Sequence, residues 1–420
     1  MEIKLKPGQL KPGKTLKSVG RALLSRNYRL YFLGQGVSLI GTWMQNVALS
    51  WLVYRLTQSA FMLGAIAFIS QTPMMILTPL AGVLADRWNR HRLMIFTQTS
   101  MMMLALLLAI LVFTHRIVMW QLITIGLGFG LTNALDAPAR QSFIVQLVDN
   151  REDLSNAIAL NSAMFNSARL IGPSVAGLLI AWVGEGVCFL LNSLSFLAVI
   201  FALLAMKIAP YNKESQLRTG IINELKEGFS YTFSSKPIRL IIIHFAFVSL
   251  LGMSFTVLLP ILANEILHGG ARSLGFLLAA MGVGALFSSI IMAVKKDTAG
   301  LWKMAAVSSS IFGLGLIVLS WSHSFMVSLL LMVITGFGMV NIMTASNTYL
   351  QTNIDDRKRA RVMAFYLLAF FGTMPLGNLI TGTVAKFIGV PMTLLMGGIF
   401  SLMASFVFIM RFPSHQKVRT

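Results

Sequence analysis

At residues 82–92 the chain reads GVLADRWNRHR, a short charged turn between two long apolar runs. Gly82 is small enough to let the end of the first run pack closely against a neighbouring helix. The carboxylate of Asp86 follows four positions later, and three arginines then fall within six residues. This pattern predicts two membrane-crossing segments joined by a tight, basic loop that faces the cytosol.

The composition excludes an ordinary soluble domain. Hydrophobic residues make up 56% of the 420 residues and charged residues only 11%, whereas soluble domains carry about 25% charged residues. Apolar runs recur at the length needed to cross ~30 Å of hydrocarbon as a helix. They are continuous and do not alternate in ten-residue segments, which favours helices over a barrel. We expect an all-α membrane protein with twelve transmembrane helices, near residues 28–54, 60–84, 93–114, 117–139, 154–183, 186–206, 237–262, 272–294, 301–321, 324–348, 361–385 and 389–410.

The position of the positive charges predicts the topology. With a cytosolic N-terminus, 29 of the 34 lysines and arginines fall on cytosolic segments, Arg169 falls within a span, and only Arg55, Arg116, Arg272 and Lys386 fall on the outer side. This asymmetry follows the positive-inside rule. It places both termini in the cytosol, and it accounts for the net charge of +20 without a nucleic-acid partner.

The second half of the sequence repeats the first. Small residues and one carboxylate recur at nearly constant separations, which indicates two six-helix bundles related by an internal repeat. The matched positions are Gly64 with Gly275 and Asp86 with Asp297 at a shift of 211, and Gly177 with Gly382 and Gly184 with Gly389 at a shift of 205.

These patterns divide the chain into five parts. A basic N-terminal segment (1–27) precedes the first bundle (28–206), and the second bundle (237–410) precedes a short cytosolic tail (411–420). The polar stretch between the bundles (207–236) is expected to be a cytosolic linker with one amphipathic helix near residues 221–233.

No arrangement of residues indicates an enzyme. The six histidines are scattered, no paired carboxylates lie within a span, and no phosphate-binding Gly-Lys-Ser/Thr sequence is present. We therefore expect no cofactor and no metal, and energy from an ion or solute gradient in place of ATP. The single cysteine, Cys188, lies in an apolar run and is expected to be a packing residue.

The charged turn at 82–92 resembles the loop between the second and third helices of the major facilitator superfamily, written G-x-x-x-D-R-x-G-R-R. Here Asn89 replaces the usual glycine and His91 interrupts the basic pair. In physical terms, Asp86 can cap a helix of the opposite half while an arginine pairs with a carboxylate at the inner end of the fourth helix. The resemblance implies that such contacts hold an inner gate shut; the alternative is that these charges only set topology. The expected latch residues are Gly82, Asp86, Arg87, Arg90, Asp136 and Arg140.

The fifth run contains ARLIGPSVAG at residues 168–177. Gly172, Pro173 and Gly177 permit close helix packing and a bend, and they resemble the G-P-x-x-G-G element of antiporter branches, with Ala176 at one glycine. Arg169 lies near mid-membrane, where a cation is costly unless it is paired or faces water. We expect it to face a central cavity and bind substrate; the alternative is an arginine held by backbone carbonyls.

The runs DAPARQSF (136–143) and NAIALNS (156–162) resemble the branch that contains the enterobactin exporter and the macrolide efflux permeases. The resemblance implies proton-linked export of a small organic molecule across the bacterial inner membrane by a protein expected to be a monomer. Because no carboxylate stands at the depth of Arg169, an anionic or acceptor-rich cargo such as a siderophore is favoured. Alternatives are a multidrug or macrolide pump, a lysolipid flippase and a transport-inactive sensor.

Other polar residues within spans are candidates for substrate binding or for interhelical hydrogen bonds. The proton-coupling candidates are Asp136, His244 and Glu265. The further substrate-binding candidates are Gln35, Gln45, Asn46, Gln71, Asn133, Asn166 and Asn341.

Overall fold

The computed structural model describes residues 20–87, 89–148, 153–208, 221–295 and 300–412, with the side chains at 78–87, 221–227, 356, 357 and 360 excluded. The predicted latch side chains of Gly82, Asp86 and Arg87 therefore lie outside the described residues, as do Asp297, residues 1–19 and residues 413–420. Within these ranges the chain forms helices and no strand. The all-α prediction is confirmed.

A short 3₁₀ turn, Arg21–Leu24, precedes the first long helix. After the helix Lys236–Leu251 the chain continues through a 3₁₀ segment, Met253–Leu258, a short helical turn, Leu259–Ile261, and a π-helical turn, Leu262–Ile266. The helices are α1 (Arg26–Thr57), α2 (Ala60–Arg87), α3 (Arg90–Phe113), α4 (Met119–Leu147), α5 (Leu154–Val183), α6 (Glu185–Ala205), α7 (Ile221–Ser234), α8 (Lys236–Leu251), α9 (Gly270–Val294), α10 (Leu301–Ser320), α11 (Phe325–Asn353), α12 (Asp356–Phe371) and α13 (Thr373–Arg411).

In the part of the chain that the structure describes, nine helical stretches are long and apolar enough to cross a membrane. The last of them, 361–411, includes Gly389, where the backbone leaves helical geometry at φ 80° and ψ 166°. Helices α1 and α4 are not among the nine; both carry amide side chains near their centres. The nine stretches are 60–77, 90–113, 154–183, 185–205, 236–266, 270–294, 301–320, 325–353 and 361–411.

Asn89 ends the α2–α3 connection by capping the N-terminus of α3. Its side-chain oxygen accepts a hydrogen bond from the backbone N–H of Arg92 at 3.2 Å, so it is the N-cap of α3. An asparagine at this position satisfies one of the free N–H groups of the first turn. The residue that replaces the family's usual glycine therefore begins the third helix.

The packing of the helices repeats at the separations seen in the sequence. Helix α2 packs on α4, and helix α9 packs on α11. Gly126 of α4 lies against Ser70 of α2, and Gly336 of α11 lies against Met281 of α9. The paired positions differ by 210 and 211 residues, as the predicted duplication requires.

Glycines of the two repeat-matched pairs, Gly64 with Gly275 and Gly177 with Gly382, also make helix contacts. Each of them contacts a glycine of the other pair. A Cβ atom at Gly177 of α5 would lie 2.8 Å from the Cα of Gly275 in α9, and one at Gly382 of α13 would lie 2.9 Å from the Cα of Gly64 in α2. Each contact joins an early helix of one half to a late helix of the other. The two crossings are thus equivalent under the internal repeat.

A further pair of matched residues shares an unusual backbone conformation. Gly184, between α5 and α6, has φ 85° and ψ 173°, and Gly389, inside α13, has φ 80° and ψ 166°. L-residues rarely adopt this region, so glycine is favoured at both positions. The break in α13 corresponds to the end of α5 in the first half.

We expect Gly275→Ala to lower the melting temperature of the purified protein. The new Cβ would meet the Cα of Gly177 and the carbonyl oxygen of Pro173 at 2.6 Å, and such overpacking costs about 1–3 kcal/mol. Gly36→Ala is the matched control, because its Cβ would meet only Met164 at 3.5 Å and alanine favours helix by up to about 1 kcal/mol. Equal melting temperatures for the two variants would contradict a packing requirement at Gly275.

Candidate functional site

One end of the structure contains a cavity of about 500 Å³. Its wall is mainly apolar, with several hydroxyl groups and two cations, Arg169 and Lys295, and no carboxylate is among the described residues that line it. The lining residues are Ser162, Phe165, Asn166 and Arg169 of α5, Ser289, Met292, Ala293 and Lys295 of or just after α9, Leu301 of α10, and Val340, Met343, Thr344 and Thr348 of α11.

Arg169 has an unused hydrogen-bonding capacity. Its Cζ lies 5.7 Å from the ring centroid of Trp43, and its Nε is buried without a hydrogen-bond partner. No ion pair of this guanidinium with a described residue is present. A cation–π contact contributes only about 0.5–2 kcal/mol, so an acceptor entering the cavity would find N–H donors available.

The positions of the lining residues along their helices place the cavity at one end of the structure. Its lining residues come from the first half of α5 but from the last halves of α9 and α11. The Gly177–Gly275 contact lies towards the opposite end of α5 and α9, and the equivalent Gly64–Gly382 contact joins α2 to α13. Among the described residues, the end opposite the cavity is therefore closed by helix contacts.

Polar contacts reinforce the closed end. Tyr54 of α1 donates its hydroxyl to Glu265 Oε1 at 2.9 Å and accepts from Asn264 Nδ2 at 2.9 Å. The π-helical turn Leu262–Ile266 carries both partners. Glu265, one of the three predicted proton-coupling residues, thus lies at the closed end and not in the cavity.

Asp136 is buried in a polar cluster between α3 and α4. It is 1% exposed and accepts hydrogen bonds from Thr97 Oγ1 at 2.8 Å and Gln98 Nε2 at 2.9 Å. Arg140, one turn further along α4, approaches it at 3.6 Å. A carboxylate with these partners is well satisfied despite its burial.

The sequence predicts that Arg87 or Arg90 pairs with Asp136, and the side chain of Arg87 lies outside the described residues. Among the described residues the ion-pair partner of Asp136 is Arg140, and Arg90 donates to the carbonyl oxygen of Ser142 at 3.5 Å. The i,i+4 spacing brings Arg140 onto the same face of α4 as Asp136. Thr97 and Gln98 were not among the predicted site residues; the only sequence signal is that TQTS at 97–100 interrupts an apolar run.

Most of the predicted substrate-binding amides lie elsewhere. Besides Arg169, only Asn166 of that set lines the cavity, while Asn46 and Asn133 are exposed outside it. Three of the others join helices: Gln45 accepts from Asn192 at 2.7 Å, Asn341 donates to Ser308 at 2.7 Å, and Gln71 accepts from Asn378 at 3.4 Å. Gln35 is buried in α1, and its Oε1 has no hydrogen-bond partner among the described residues.

Two further predicted features, His244 and the motif at Gly172 and Pro173, lie where helices pack against each other. His244 of α8 is 4% exposed and stacks on Phe408 of α13 with centroids 4.5 Å apart, so it lies between helices and not in the cavity. Gly172 lies against Trp43 and Ile40 of α1, and α5 stays helical through Pro173. Helix α5 thereby packs on α1 through Gly172 and on α9 through Gly177.

The family model of the transmembrane secretion effectors (MFS_3) matches residues 22–418. The chain belongs to this family. The predicted membership of an efflux branch of the major facilitator superfamily is confirmed. Members are multi-pass membrane transporters and not enzymes.

Relatives cover nearly the whole chain. The staphyloferrin A transporter of Staphylococcus aureus is 24% identical, covering 90% of this chain and 95% of its own length. The multidrug efflux pump Tap of Mycolicibacterium fortuitum is 22% identical, covering 84% of this chain and 88% of its own length. Macrolide efflux protein A of Streptococcus pyogenes is 21% identical, covering 89% of this chain and 93% of its own length. The crystal structure of the nucleoside transporter NupG has the same fold, with a TM-score of 0.71, 12% identity and coverage of 92% and 98%.

We expect Asp136→Ala to destabilise the protein by about 1–3 kcal/mol, because it leaves Thr97, Gln98 and Arg140 without their acceptor. Thermal unfolding in detergent measures this effect. Asn133→Ala, an exposed change one turn earlier on α4, is the control and should leave the melting temperature within error of the wild type. If Asp136→Ala also left the melting temperature within error of the wild type, the cluster would not hold α3 to α4.

Proposed function

We propose that the protein is a secondary active exporter of a small anionic or acceptor-rich organic molecule, in the bacterial inner membrane with both termini in the cytosol. The observation that carries this proposal is Arg169, a cation on the cavity wall whose Nε has no hydrogen bond. An intramembrane ion without a fixed partner is a functional residue by default.

The architecture proposed for this transport is twelve spans in two six-helix bundles. The stretch 361–411 would extend about 77 Å as one straight helix, more than twice the ~30 Å hydrocarbon thickness, so its break at Gly389 supports two crossings. Helices α1 and α4 supply the remaining two spans. The equivalent contacts at Gly64–Gly382 and Gly177–Gly275 support a two-fold relation between the bundles.

The cavity suits an anionic cargo in charge and size. Lys295 adds a second cation to Arg169, and no described carboxylate opposes them on the wall. A volume of about 500 Å³ is in the usual range for small-molecule sites, about 300–1,000 Å³. The relation to a staphyloferrin A transporter supports a siderophore or a similar polycarboxylate metabolite as the cargo class.

Multidrug or macrolide efflux is the second candidate. Phe165, Met292 and Met343 form part of the cavity wall, and methionine side chains adapt to differently shaped apolar ligands. The relatives Tap and macrolide efflux protein A support this alternative. Cargo charge separates the two candidates, because a hydrophobic drug does not need Arg169.

In this proposal transport proceeds by alternating access. With the N-terminus in the cytosol, α5 begins at the cytosolic side, so the cavity faces inwards and the Tyr54–Glu265 contact closes the outer side. Outward opening would separate these outer contacts and close the inner end. The latch formed by Asp86, Arg87 and Arg90 is proposed to hold that inner end closed.

Proton coupling is proposed to act through Asp136. Protonation would weaken its attraction to Arg140, 3.6 Å away, and would remove acceptor capacity used by Thr97 and Gln98. These partners tie α3 to α4, so a change of charge at Asp136 would alter how the two helices pack at the inner end of the first bundle.

We expect Arg169→Ala to raise the KM for a carboxylate siderophore by about 10–100-fold, because a charge-assisted hydrogen bond contributes about 1.5–3 kcal/mol. Arg169→Lys should retain partial activity, since it keeps the charge but loses the planar fork. Uptake into inside-out proteoliposomes measures both. Arg272→Ala is the matched control, because Arg272 also lies over an aromatic ring, Phe276 at 5.8 Å, but does not line the cavity.

A KM for the carboxylate substrate that is unchanged in Arg169→Ala would eliminate the anion-binding role. The same assay with a macrolide then tests the second candidate. Macrolide transport that is insensitive to Arg169, with no carboxylate transport by the wild type, would establish multidrug efflux as the better description.

We expect Asp136→Asn to transport cargo down its own gradient but to lose acceleration by an imposed pH gradient. The amide keeps hydrogen-bonding capacity but cannot gain or lose a proton. Cargo flux with and without the pH gradient, in the same vesicles, measures the coupling. His244→Gln and Glu265→Gln should keep the response, and a full pH response in Asp136→Asn would move the proton site elsewhere.

A further inference from the structure

A second concave site lies between α7 and the beginning of α12, outside the cavity described above. It is a groove of about 370 Å³. Both charged side chains among its described lining residues are cations, Lys358 and Arg361. The other lining residues, Gly228, Ser230, Tyr231 and Ser234, all belong to α7.

Close helix packing builds the groove. A Cβ atom at Gly228 would lie 3.1 Å from the Cβ of Arg361 and 3.1 Å from the ring of Phe365, so α7 rests directly on α12. Beyond this contact, Lys358 Nζ lies 4.3 Å from the ring centroid of Tyr231. The tyrosine face thus holds the ammonium group at the groove, where its three N–H donors remain available.

Two donors of the groove, Lys358 and Ser230, have no acceptor among the described residues. Lys358 forms no ion pair with a described carboxylate, and the hydroxyl of Ser230 makes no hydrogen bond to a described residue. Ser234 donates to the carbonyl oxygen of Tyr231 at 3.1 Å. An ammonium and a free hydroxyl on one small surface match the oxygens of a phosphate group.

An apolar ridge runs beside these donors. Phe229 is 54% exposed and contacts Phe233, with centroids 4.4 Å apart, and Phe365, with centroids 6.0 Å apart. Exposed aromatic rings next to cations are the arrangement that binds an amphiphile at a membrane surface. Free phosphate would make no use of the ridge.

We propose that this groove binds the phosphate of an anionic phospholipid headgroup, with the acyl chains along Phe229 and Phe365. The bound lipid joins the linker helix α7 to α12. This proposal concerns a site separate from the cargo cavity and does not depend on the identity of the cargo.

The test is lipid binding by the full-length purified protein, measured by native mass spectrometry with phosphatidylglycerol, phosphatidylcholine or inorganic phosphate. We expect the wild type to prefer phosphatidylglycerol. Lys358→Gln should weaken phosphatidylglycerol binding about fivefold, as expected for one juxtamembrane cation, and Lys358→Arg should restore it. Lys303→Gln is the matched control, because Lys303 also lies over an aromatic ring, Trp302 at 5.5 Å, but not in this groove; its affinity should equal that of the wild type.

Ser230→Leu provides a second variant that does not remove a charge. Ser230 is exposed on the groove wall, so a leucine there should block the headgroup while leaving the melting temperature in phosphatidylcholine unchanged. Equal affinity for the two lipids, or wild-type phosphatidylglycerol binding by both Lys358→Gln and Ser230→Leu, would overturn the proposal. Binding of inorganic phosphate as tight as binding of phosphatidylglycerol would overturn the lipid assignment.

Discussion

The close contact of α5 with α9 determines the arrangement of the rest of the structure. Lipid surrounds such helices with an apolar medium, so helix association depends on close packing more than on the hydrophobic effect. Gly177 and Gly275 allow the two backbones to touch, which closes one end. Arg169 lies eight residues before Gly177, about 12 Å along the helix, where α5 still packs on α9 through Gly282 and the Arg169 side chain lines the cavity.

Asp136 and Arg169, two charged residues in the first half, have opposite surroundings. Asp136 has three partners on α3 and α4, whereas Arg169 has an aromatic face and the cavity. Both ions are costly in an apolar interior unless compensated. The compensated carboxylate joins α3 to α4, and in the proposed coupling a proton would remove that compensation. In the proposed transport, the guanidinium leaves its donors for the cargo.

Some of these features can be predicted from the sequence, and others cannot. The depth of Arg169 follows from counting residues along an apolar run, and the matched glycines follow from the internal repeat. The contacts of Gln45 with Asn192 and of Asp136 with Gln98 join residues 147 and 38 positions apart. They depend on how each helix is rotated about its axis. In runs that are apolar on all sides, no amphipathic pattern specifies that rotation, so only the packing decides which amides join helices and which line the cavity.

The aromatic face beside Arg169 has a specific consequence for export. A fixed carboxylate would compensate the guanidinium more strongly, but it would compete with an anionic cargo for the same donors. Trp43 offers about 0.5–2 kcal/mol, less than the about 1.5–3 kcal/mol of a hydrogen bond to a charged group. In the proposed export of an anionic cargo, the cargo would therefore add its interaction on entering, and the cation would keep a partial partner when the cargo leaves. Transport needs this balance, because binding that is too tight would prevent release.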